Sequence, residues 1–355
     1  MQVMRGVTLI ELMIAMAIGM VLLLGVVHIL TSNQHTYRMN DNVGRIQENA
    51  RIALEMMSRD LRSAGGTSCM RVPREELAEL AGGSRRTASV NVIANPPIPG
   101  GLGVGVEIRG FDAGGYQFIG GAADPRLIAA ADGFHVGRMD DCPASLVGNM
   151  GTTNANIQLD GTAQGCGFAA GQLLIISDCE SMDVFRPTNV NNGAITVMAH
   201  SNAVNTSNFL SKAYDTSASV ARHRAVGYYL ALNQDAANPA SVPRANLMLD
   251  EGRGQLNPAL VEGVEDMQIL YGVDQSGNFA ADVFVTATNV ADWSTVVAVQ
   301  LNLLLASDPA TTLLPDPQNY QWFGNLATAT ANVVAPDWRL YRTFSQTVTL
   351  RNRVP

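Results

Sequence analysis

The chain has 355 residues, of which 47% are hydrophobic and only 15% are charged, and its formal net charge is −8. An average soluble domain carries about 25% charged residues, so this chain is poor in charge. Its mean hydropathy of +0.08 is nevertheless far below that of a protein with many membrane spans. The acidic balance argues against nucleic acid as a partner, and Lys212, the only lysine, does not stand in a phosphate-binding loop.

The excess hydrophobicity is concentrated near the N-terminus. From Leu12 to Leu30 the chain is apolar except for His28, and a helix needs about 20 such residues to cross a bilayer. A cleaved secretory signal is the competing interpretation, but no small-residue cleavage site follows, and a polar helical pattern begins at Thr31. We therefore predict a retained transmembrane helix over residues 7–30.

The segment that follows, residues 31–64, has the pattern of an amphipathic helix. Its apolar residues recur at helical spacing, charged residues occupy the other faces, and glycines follow at the end. The apolar positions are Val43, Ile46, Ala50, Ala53, Leu54, Met57 and Leu61. Joined to the apolar run, this pattern predicts one helix from Val7 to Ala64, about 87 Å long. A membrane anchor followed by a separate helix is the alternative.

Glu11 is a charge in an apolar setting. A carboxylate at membrane depth costs several kcal/mol unless a partner neutralises it, which makes Glu11 a candidate functional residue. The alternative is that its charge only complements the dipole of the first helical turn.

Residues 5–13 resemble the class III signal of type IV pilins and type II secretion pseudopilins. The segment reads Arg5-Gly6-Val7-Thr8-Leu9-Ile10-Glu11-Leu12-Met13. The resemblance implies that prepilin peptidase cleaves between Gly6 and Val7, which makes residues 1–6 a leader peptide. Val7 would become the N-methylated first residue, at a position where the family usually has phenylalanine. The resemblance further implies that Glu11 pairs with the N-terminal amine of a neighbouring subunit during assembly.

Later blocks of the chain are similar to PilW-type minor pilins and, more weakly, to the J-type minor pseudopilin of type II secretion. They occur in the same order as in the family, at residues 171–180 with 183–185, 260–268 with 271–274, and 347–353. The resemblance implies a non-catalytic role in priming type IV pilus assembly and in the filament tip complex, and thus in cell adhesion and twitching motility.

The same resemblance implies partners and a location. The partners are other minor pilins, the major pilin, the prepilin peptidase, the inner-membrane assembly platform and a large tip adhesin. The chain would be a single-pass inner-membrane protein with a periplasmic domain before assembly, and would lie at the pilus tip afterwards. A minor pseudopilin of a type II secretion system is the nearer alternative, and a membrane-anchored periplasmic enzyme or sensor is the more distant one.

Residues 65–355 lose the helical period and are predicted to form a β-rich extracytoplasmic domain. The fold class is therefore α+β, a long N-terminal helix laid against an antiparallel sheet, which is also what the pilin resemblance implies. Segments rich in Gly, Asn, Ala and Ser, at 148–171 and 189–219, are predicted to be surface loops inserted into the sheet. The candidate strands are Val104–Arg109, Leu173–Ser177, Ala225–Leu232, Met267–Val273, Val296–Leu305 and Phe344–Arg351.

The four cysteines, Cys69, Cys142, Cys166 and Cys179, all follow the predicted membrane helix. Their spacings are too wide for a zinc site, whereas disulfides persist in an oxidising periplasm. From sequence order alone we predict bonds between Cys69 and Cys142 and between Cys166 and Cys179. Buried free thiols are the alternative.

Sequence signatures of catalysis and of metal binding are weak. The chain has neither an H-E-x-x-H nor a G-x-S-x-G motif. Asp140-Asp141 and residues 274–278 have oxygen ligands that suit a cation, but hairpin turns use the same residue types, and we favour turns. We predict no enzyme activity, no cofactor and no metal.

Overall fold

The computed structural model describes residues 9–66, 70–95, 107–119, 121, 123–140, 142–233, 244–252, 259–308, 314, 316–322 and 331–354. Helix α1 runs from Leu9 to Ser63 without interruption. The prediction of one continuous helix is therefore confirmed over the described residues, and the alternative of two separate helices is wrong. Gly65 follows with φ of +67°, in the left-handed region that lets glycine end a helix. A short helix, α2, spans Arg74–Ala81.

The second half of α1 packs on the body through the predicted apolar stripe. The first buried residue of the helix is Asn42, and from Ile46 onwards one face is in the main core. The fully buried apolar positions are Ile46, Ala50, Ala53, Met57 and Leu61, with Val43 and Leu54 packed at the margin. The arginines and glutamates of the other faces are exposed, so the helical spacing identified the buried face correctly.

The body is built from short strands, numbered here in chain order. The first nine are β1 Val90–Val92, β2 Ile108–Phe111, β3 Gly133–Met139, β4 Ala144–Ser145, β5 Ile157–Leu159, β6 Leu174–Ser177, β7 Met182–Phe185, β8 Asn189–Asn191 and β9 Thr196–Ala199. The others are β10 Ser219–Asn233, β11 Arg244–Asp250, β12 Ala259–Glu262, β13 Val264–Val273, β14 Val283–Val285, β15 Val296–Ala306, β16 Asn319–Trp322, β17 Ala331–Val334 and β18 Tyr341–Thr349.

Two sheets enclose the main core beneath α1. The larger has the order β1-β7-β6-β10-β11-β12, with β3 and β4 also paired to β10 and β2 paired to β3. The smaller has the order β14-β13-β15-β18. Except for the parallel pair β1 and β7, the described strand pairs are antiparallel. The α+β class and the helix-on-sheet arrangement are thereby confirmed.

The two segments predicted to be surface loops instead build a second core. Strands β5, β9 and β8 form a three-stranded sheet within residues 157–199, and a 3-10 helix spans Gly161–Cys166. Ile157, Leu159 and Met198 are fully buried there. The loop prediction failed because strands of only a few residues, set among glycine and asparagine, leave too short an alternation to recognise.

Most of the strand predictions are confirmed with altered bounds. The segments beginning at Leu173, Ala225, Met267, Val296 and Phe344 fall on β6, β10, β13, β15 and β18. The predicted strand Val104–Arg109 lies partly outside the described residues, and its described end overlaps β2. Arg351, the last residue of the final predicted strand, lies in a turn beyond β18.

Candidate functional site

The first half of α1 stands away from the body. Every leucine, isoleucine, valine and methionine from Leu9 to Leu30 is at least 52% exposed. By length and composition α1 can span a membrane, with a mean hydropathy of 2.6 in its most apolar window. Removing one such side chain from water is worth about 1.5 kcal/mol or more. This half of the helix therefore requires lipid or other apolar helices around it.

Glu11 lies in the first turn of the described helix and is exposed. Ala15 and Ile18 continue the same helical face, so the carboxylate lies on an otherwise apolar strip. Gly6 and Val7, the predicted processing residues, lie outside the described residues. Cleavage between them and the assembly role of Glu11 remain predictions.

A buried carboxylate fixes the second half of α1 to the larger sheet. Asp60 is only 3% exposed, and the hydroxyl of Tyr228 on β10 donates a 2.7 Å hydrogen bond to its Oδ2. Arg138 on β3 places its Nε 3.5 Å from Oδ1. Burial and the nearby Asp60 raise the pKa of Tyr228, so the hydroxyl keeps its proton and remains a donor.

Asp60 was not identified from the sequence, although the position of this charged residue in the helical pattern is informative. Asp60 lies three residues after Met57 and next to Leu61, within the stripe that packs on the body. A charge at such a position must be paired or it destabilises the core.

Further hydrogen bonds connect the helix to the ends of the chain's strands. Asn49 donates through Nδ2 to the carbonyl of Glu262 at 3.1 Å, at the end of β12. Beyond β18, Asn352 donates to the carbonyl of Ala64 at 2.8 Å. These contacts tie the packed half of the helix and the residue after its end to the body.

The disulfides differ from the prediction. Cys142 is bonded to Cys166, with their Cα atoms 5.5 Å apart, so the predicted pairing of Cys69 with Cys142 and of Cys166 with Cys179 is wrong. Leu146, just after β4, forms a bridge with Leu159 of β5, and this brings the chain around Cys142 next to the 3-10 helix that ends at Cys166. Cys179 is also disulfide-bonded, and Cys69 lies outside the described residues.

Replacing Cys142 and Cys166 together by serine is expected to lower the free energy of unfolding by about 3 kcal/mol, because the unfolded chain loses a loop constraint. Thermal unfolding of the full chain in detergent micelles measures the change. Adding a reductant to the double variant breaks the disulfide of Cys179, and the further change in melting temperature measures the contribution of that bond. A melting temperature unchanged by the double substitution would contradict the assignment of this bond to stability.

Asp140 and Asp274, which belong to the acidic segments with oxygen ligands that suit a cation, are both paired with protein groups, and Asp141 lies outside the described residues. Arg74 donates to Asp274 Oδ2 at 2.5 Å, and the amides of Gly277 and Phe279 donate to the same carboxylate. Burial opposes ionisation of Asp274, but these hydrogen bonds outweigh it and lower its pKa to about 2. Asp140 forms an ion pair with Arg222. Across the described ranges, no cluster of His, Cys, Asp and Glu has the arrangement of a metal site.

Asp132 is a buried carboxyl group where the two sheets meet. Its Oδ2 accepts a 2.9 Å hydrogen bond from the amide of Ile269, and the residue is 6% exposed. Burial, followed by the negative charges of Asp112 and Asp266, raises its pKa to about 7. The folded chain therefore holds a proton on Asp132 across a pH range in which the unfolded chain has released it.

Asp132→Asn is expected to stabilise the chain at pH 8 by up to about 4 kcal/mol and to have little effect at pH 4. The folded pKa is raised above the unfolded one, so the wild type loses stability as pH rises from about 4 to about 7. Melting temperatures at both pH values test this. Asp215→Asn is the control of opposite sign, since hydrogen bonds from Ser217 lower the pKa of that exposed carboxyl group. An equal effect of Asp132→Asn at both pH values would contradict the prediction.

Two family models match the chain. Residues 228–352 match the family described as type IV pilus-assembly protein W, and residues 1–27 match the prokaryotic N-terminal methylation motif. Among solved structures, a type IV-like pilin from Thermus thermophilus aligns over 88% of this chain and 98% of that chain, with 10% identity and a TM-score of 0.32. No match to a curated protein was found.

Proposed function

We propose that this chain is a PilW-type minor pilin, as its two family matches indicate, and that it primes type IV pilus assembly and takes a place in the filament tip complex. One structural observation supports the proposal above the others. Helix α1 is continuous from an exposed apolar half into the main core of the body. Such a helix can anchor the subunit in a bilayer and later pack among other helices without refolding.

The mechanism follows from the two environments of the apolar half of α1, which are the bilayer before assembly and a bundle of helices afterwards. Before assembly, residues 7–30 lie in the inner membrane and residues 65–355 lie in the periplasm. Prepilin peptidase cleaves between Gly6 and Val7 at the cytoplasmic face, and Val7 is methylated. Lipid and a helix bundle are both apolar, so moving this half of α1 from one to the other costs little.

Glu11 sets the axial position of the subunit in that bundle. Its carboxylate is costly in an apolar bundle unless it lies beside a positive group, and the N-terminal amine of a neighbouring subunit supplies that group. Axial positions that leave the two charges apart are disfavoured. The charge therefore selects the register, while the apolar side chains supply the attraction.

The proposed partners are the other minor pilins, the major pilin, the prepilin peptidase, the inner-membrane platform and a large adhesin at the tip. The role is structural and not catalytic. The methylation motif is common to pilins and pseudopilins, whereas the match at residues 228–352 favours the pilus over type II secretion.

Intact-mass measurement of the purified chain tests the proposal. We expect a mature chain without residues 1–6 that carries one methyl group on Val7, and a Gly6→Val variant that keeps its leader. A wild-type chain with its first six residues intact would overturn the proposal in favour of an anchored enzyme or sensor. Loss of surface pili on deletion of the gene, with secretion unaffected, separates the pilus role from the pseudopilin role.

A further inference from the structure

Among the described strands, β18 is the last strand of the smaller sheet on its side. In the part of the chain that the structure describes, β18 pairs with β15 alone. The amide of Leu350 donates to the carbonyl of Val297 at 2.9 Å, and the amide of Ser307 donates to the carbonyl of Leu340 at 2.9 Å. Backbone groups alternate in direction along an antiparallel strand, so even-numbered residues of β18 face β15 and odd-numbered residues face outward.

The first outward position is already satisfied by a side chain. The amide of Gln318 donates to the carbonyl of Tyr341 at 3.0 Å and accepts from its N–H at 3.1 Å, as a neighbouring strand would do. The next outward positions are Thr343, Ser345, Thr347 and Thr349, whose backbone groups form no hydrogen bond with a described residue. Proteins usually protect such an edge, because it is a template for another strand.

A groove opens beside α1 where β18 ends. Its volume is about 550 Å³, and Ile52 and Met56 of α1 form its apolar part. Arg59 and Arg62 of α1 and Arg351 beyond β18 form its basic part, and these three arginines outnumber Glu55, which also lines the groove. Arg62 and Arg351 form no ion pair with the described residues. In a chain of net charge −8, this surface favours a partner that combines apolar side chains with carboxylates.

We infer that β18 accepts an extended segment of another chain, which adds to the sheet as an antiparallel strand and places carboxylates against Arg62 and Arg351. Backbone hydrogen bonds to the outward positions would supply affinity, as in other cases of strand addition. Apolar residues on the helix side of the segment would cover the half-buried ring of Phe344. The carboxylates at one end of the added segment would supply specificity through their charge complementarity with Arg62 and Arg351.

A second copy of this chain cannot pair its own β18 with this edge. Antiparallel pairing of two β18 strands requires a two-fold axis normal to the sheet. Because α1 lies on one face of this sheet, that axis would keep both helices on the same face but reverse one of them. The two apolar halves would then leave the dimer in opposite directions and could not enter one bilayer. The β18 strand of a second copy is therefore excluded as the donor. We assign the donor strand to a different chain, and this step rests on the proposed membrane-anchored function.

The test uses the full chain in detergent micelles and a fluorescent probe peptide of about eight residues, within the usual range of strand lengths. The peptide has two aspartates followed by alternating valine and threonine. A matched peptide carries N-methyl groups on the amides that would face β18. We expect the first peptide to bind and the methylated peptide to bind at least about tenfold more weakly, since it lacks the donors.

Variants of the chain separate the contribution of the β18 edge to peptide binding from the contribution of the groove. Thr347→Pro removes an outward N–H without touching the bonds to β15, and is expected to weaken binding about tenfold. Arg62→Glu with Arg351→Glu is expected to weaken it by about as much through charge reversal. Arg45→Glu is the control, because Arg45 is exposed on the same helix but pairs with Asp41 away from the groove.

Hydrogen exchange at single-residue resolution supplies a readout that needs no variant. The amides of Thr343, Ser345, Thr347 and Thr349 should exchange freely in the chain alone and become protected with the peptide. The amides of Phe344, Gln346 and Val348 should be protected in both states. Protection of the outward amides before the peptide is added, or equal binding of both peptides, would overturn the inference.

The outcome can be separated from that of the proposed function. Peptide binding is measured on the purified chain and does not depend on its incorporation into filaments. A chain that binds the peptide but keeps its leader would refute the proposed function and leave strand addition standing. A processed and incorporated chain that fails to bind would refute strand addition alone.

Discussion

Glu11→Ala is expected to leave membrane insertion intact and to reduce the amount of this chain in sheared filaments by about a hundredfold, for an unpaired charge costing about 3 kcal/mol. The substitution removes the carboxylate that would neutralise a neighbouring subunit's N-terminal amine. It makes the exposed half of α1 more apolar, so affinity for the bilayer does not fall. Immunoblots of membranes and of sheared filaments measure the two quantities on the same cells.

Glu48→Ala is the matched control for this experiment. Glu48 is an exposed glutamate on the same helix, but it lies beyond the apolar half and on the face away from the main core. It should be incorporated as well as the wild type. If Glu11→Ala is recovered in filaments at the wild-type level, the register mechanism is refuted, although membrane anchoring through α1 is not.

The helix could be predicted because its signals are local and repeated. An apolar run fixes the membrane half, and helical spacing repeated over several turns fixes the buried face from Ile46 to Leu61. The long strands β13, β15 and β18 were recognisable for the same reason, since each carries enough residues to show a pattern.

The second core escaped prediction because its signals are short and non-local. Strands β5, β8 and β9 have only a few residues each, and β5 pairs with β9, which lies far along the chain from it. The pairing of Cys142 with Cys166 depends on that same packing. Sequence order carries no information on which cysteines meet, because any pairing closes some loop.

The open edge of β18 also lay beyond sequence reasoning. Its alternation shows which side chains point to the core, but not which neighbouring strands are present. The register with β15 and the backbone hydrogen bonds of Leu350 and Tyr341 are needed to identify the backbone groups of β18 that point away from β15. Whether a strand lies at the edge or in the centre of a sheet depends on its neighbours, so the sequence of that strand alone does not determine it.

Asp60→Ala is expected to lower the free energy of unfolding by about 4 kcal/mol, because it leaves the buried hydroxyl of Tyr228 without its acceptor and the half-buried guanidinium of Arg138 without its ion-pair partner. Chemical unfolding of the full chain in micelles measures this loss. Asp60→Asn should cost less, since its amide oxygen still accepts from Tyr228. Asp41→Ala is the control, an exposed ion pair on the same helix worth about 0.5 kcal/mol.

A double substitution separates the hydrogen bond from the ion pair. If the bond to Tyr228 dominates, Asp60→Ala combined with Tyr228→Phe should cost less than the sum of the single changes, because the hydroxyl left unpaired by the first is removed by the second. Additive costs would assign the role of Asp60 to Arg138 instead.

In either case Asp60 joins α1 to the body. A chain that lacks Asp60 should therefore detach the helix from the sheet before the sheet itself unfolds. Exchange of the α1 amides ahead of those of β10 would show this order, and simultaneous exchange would contradict it.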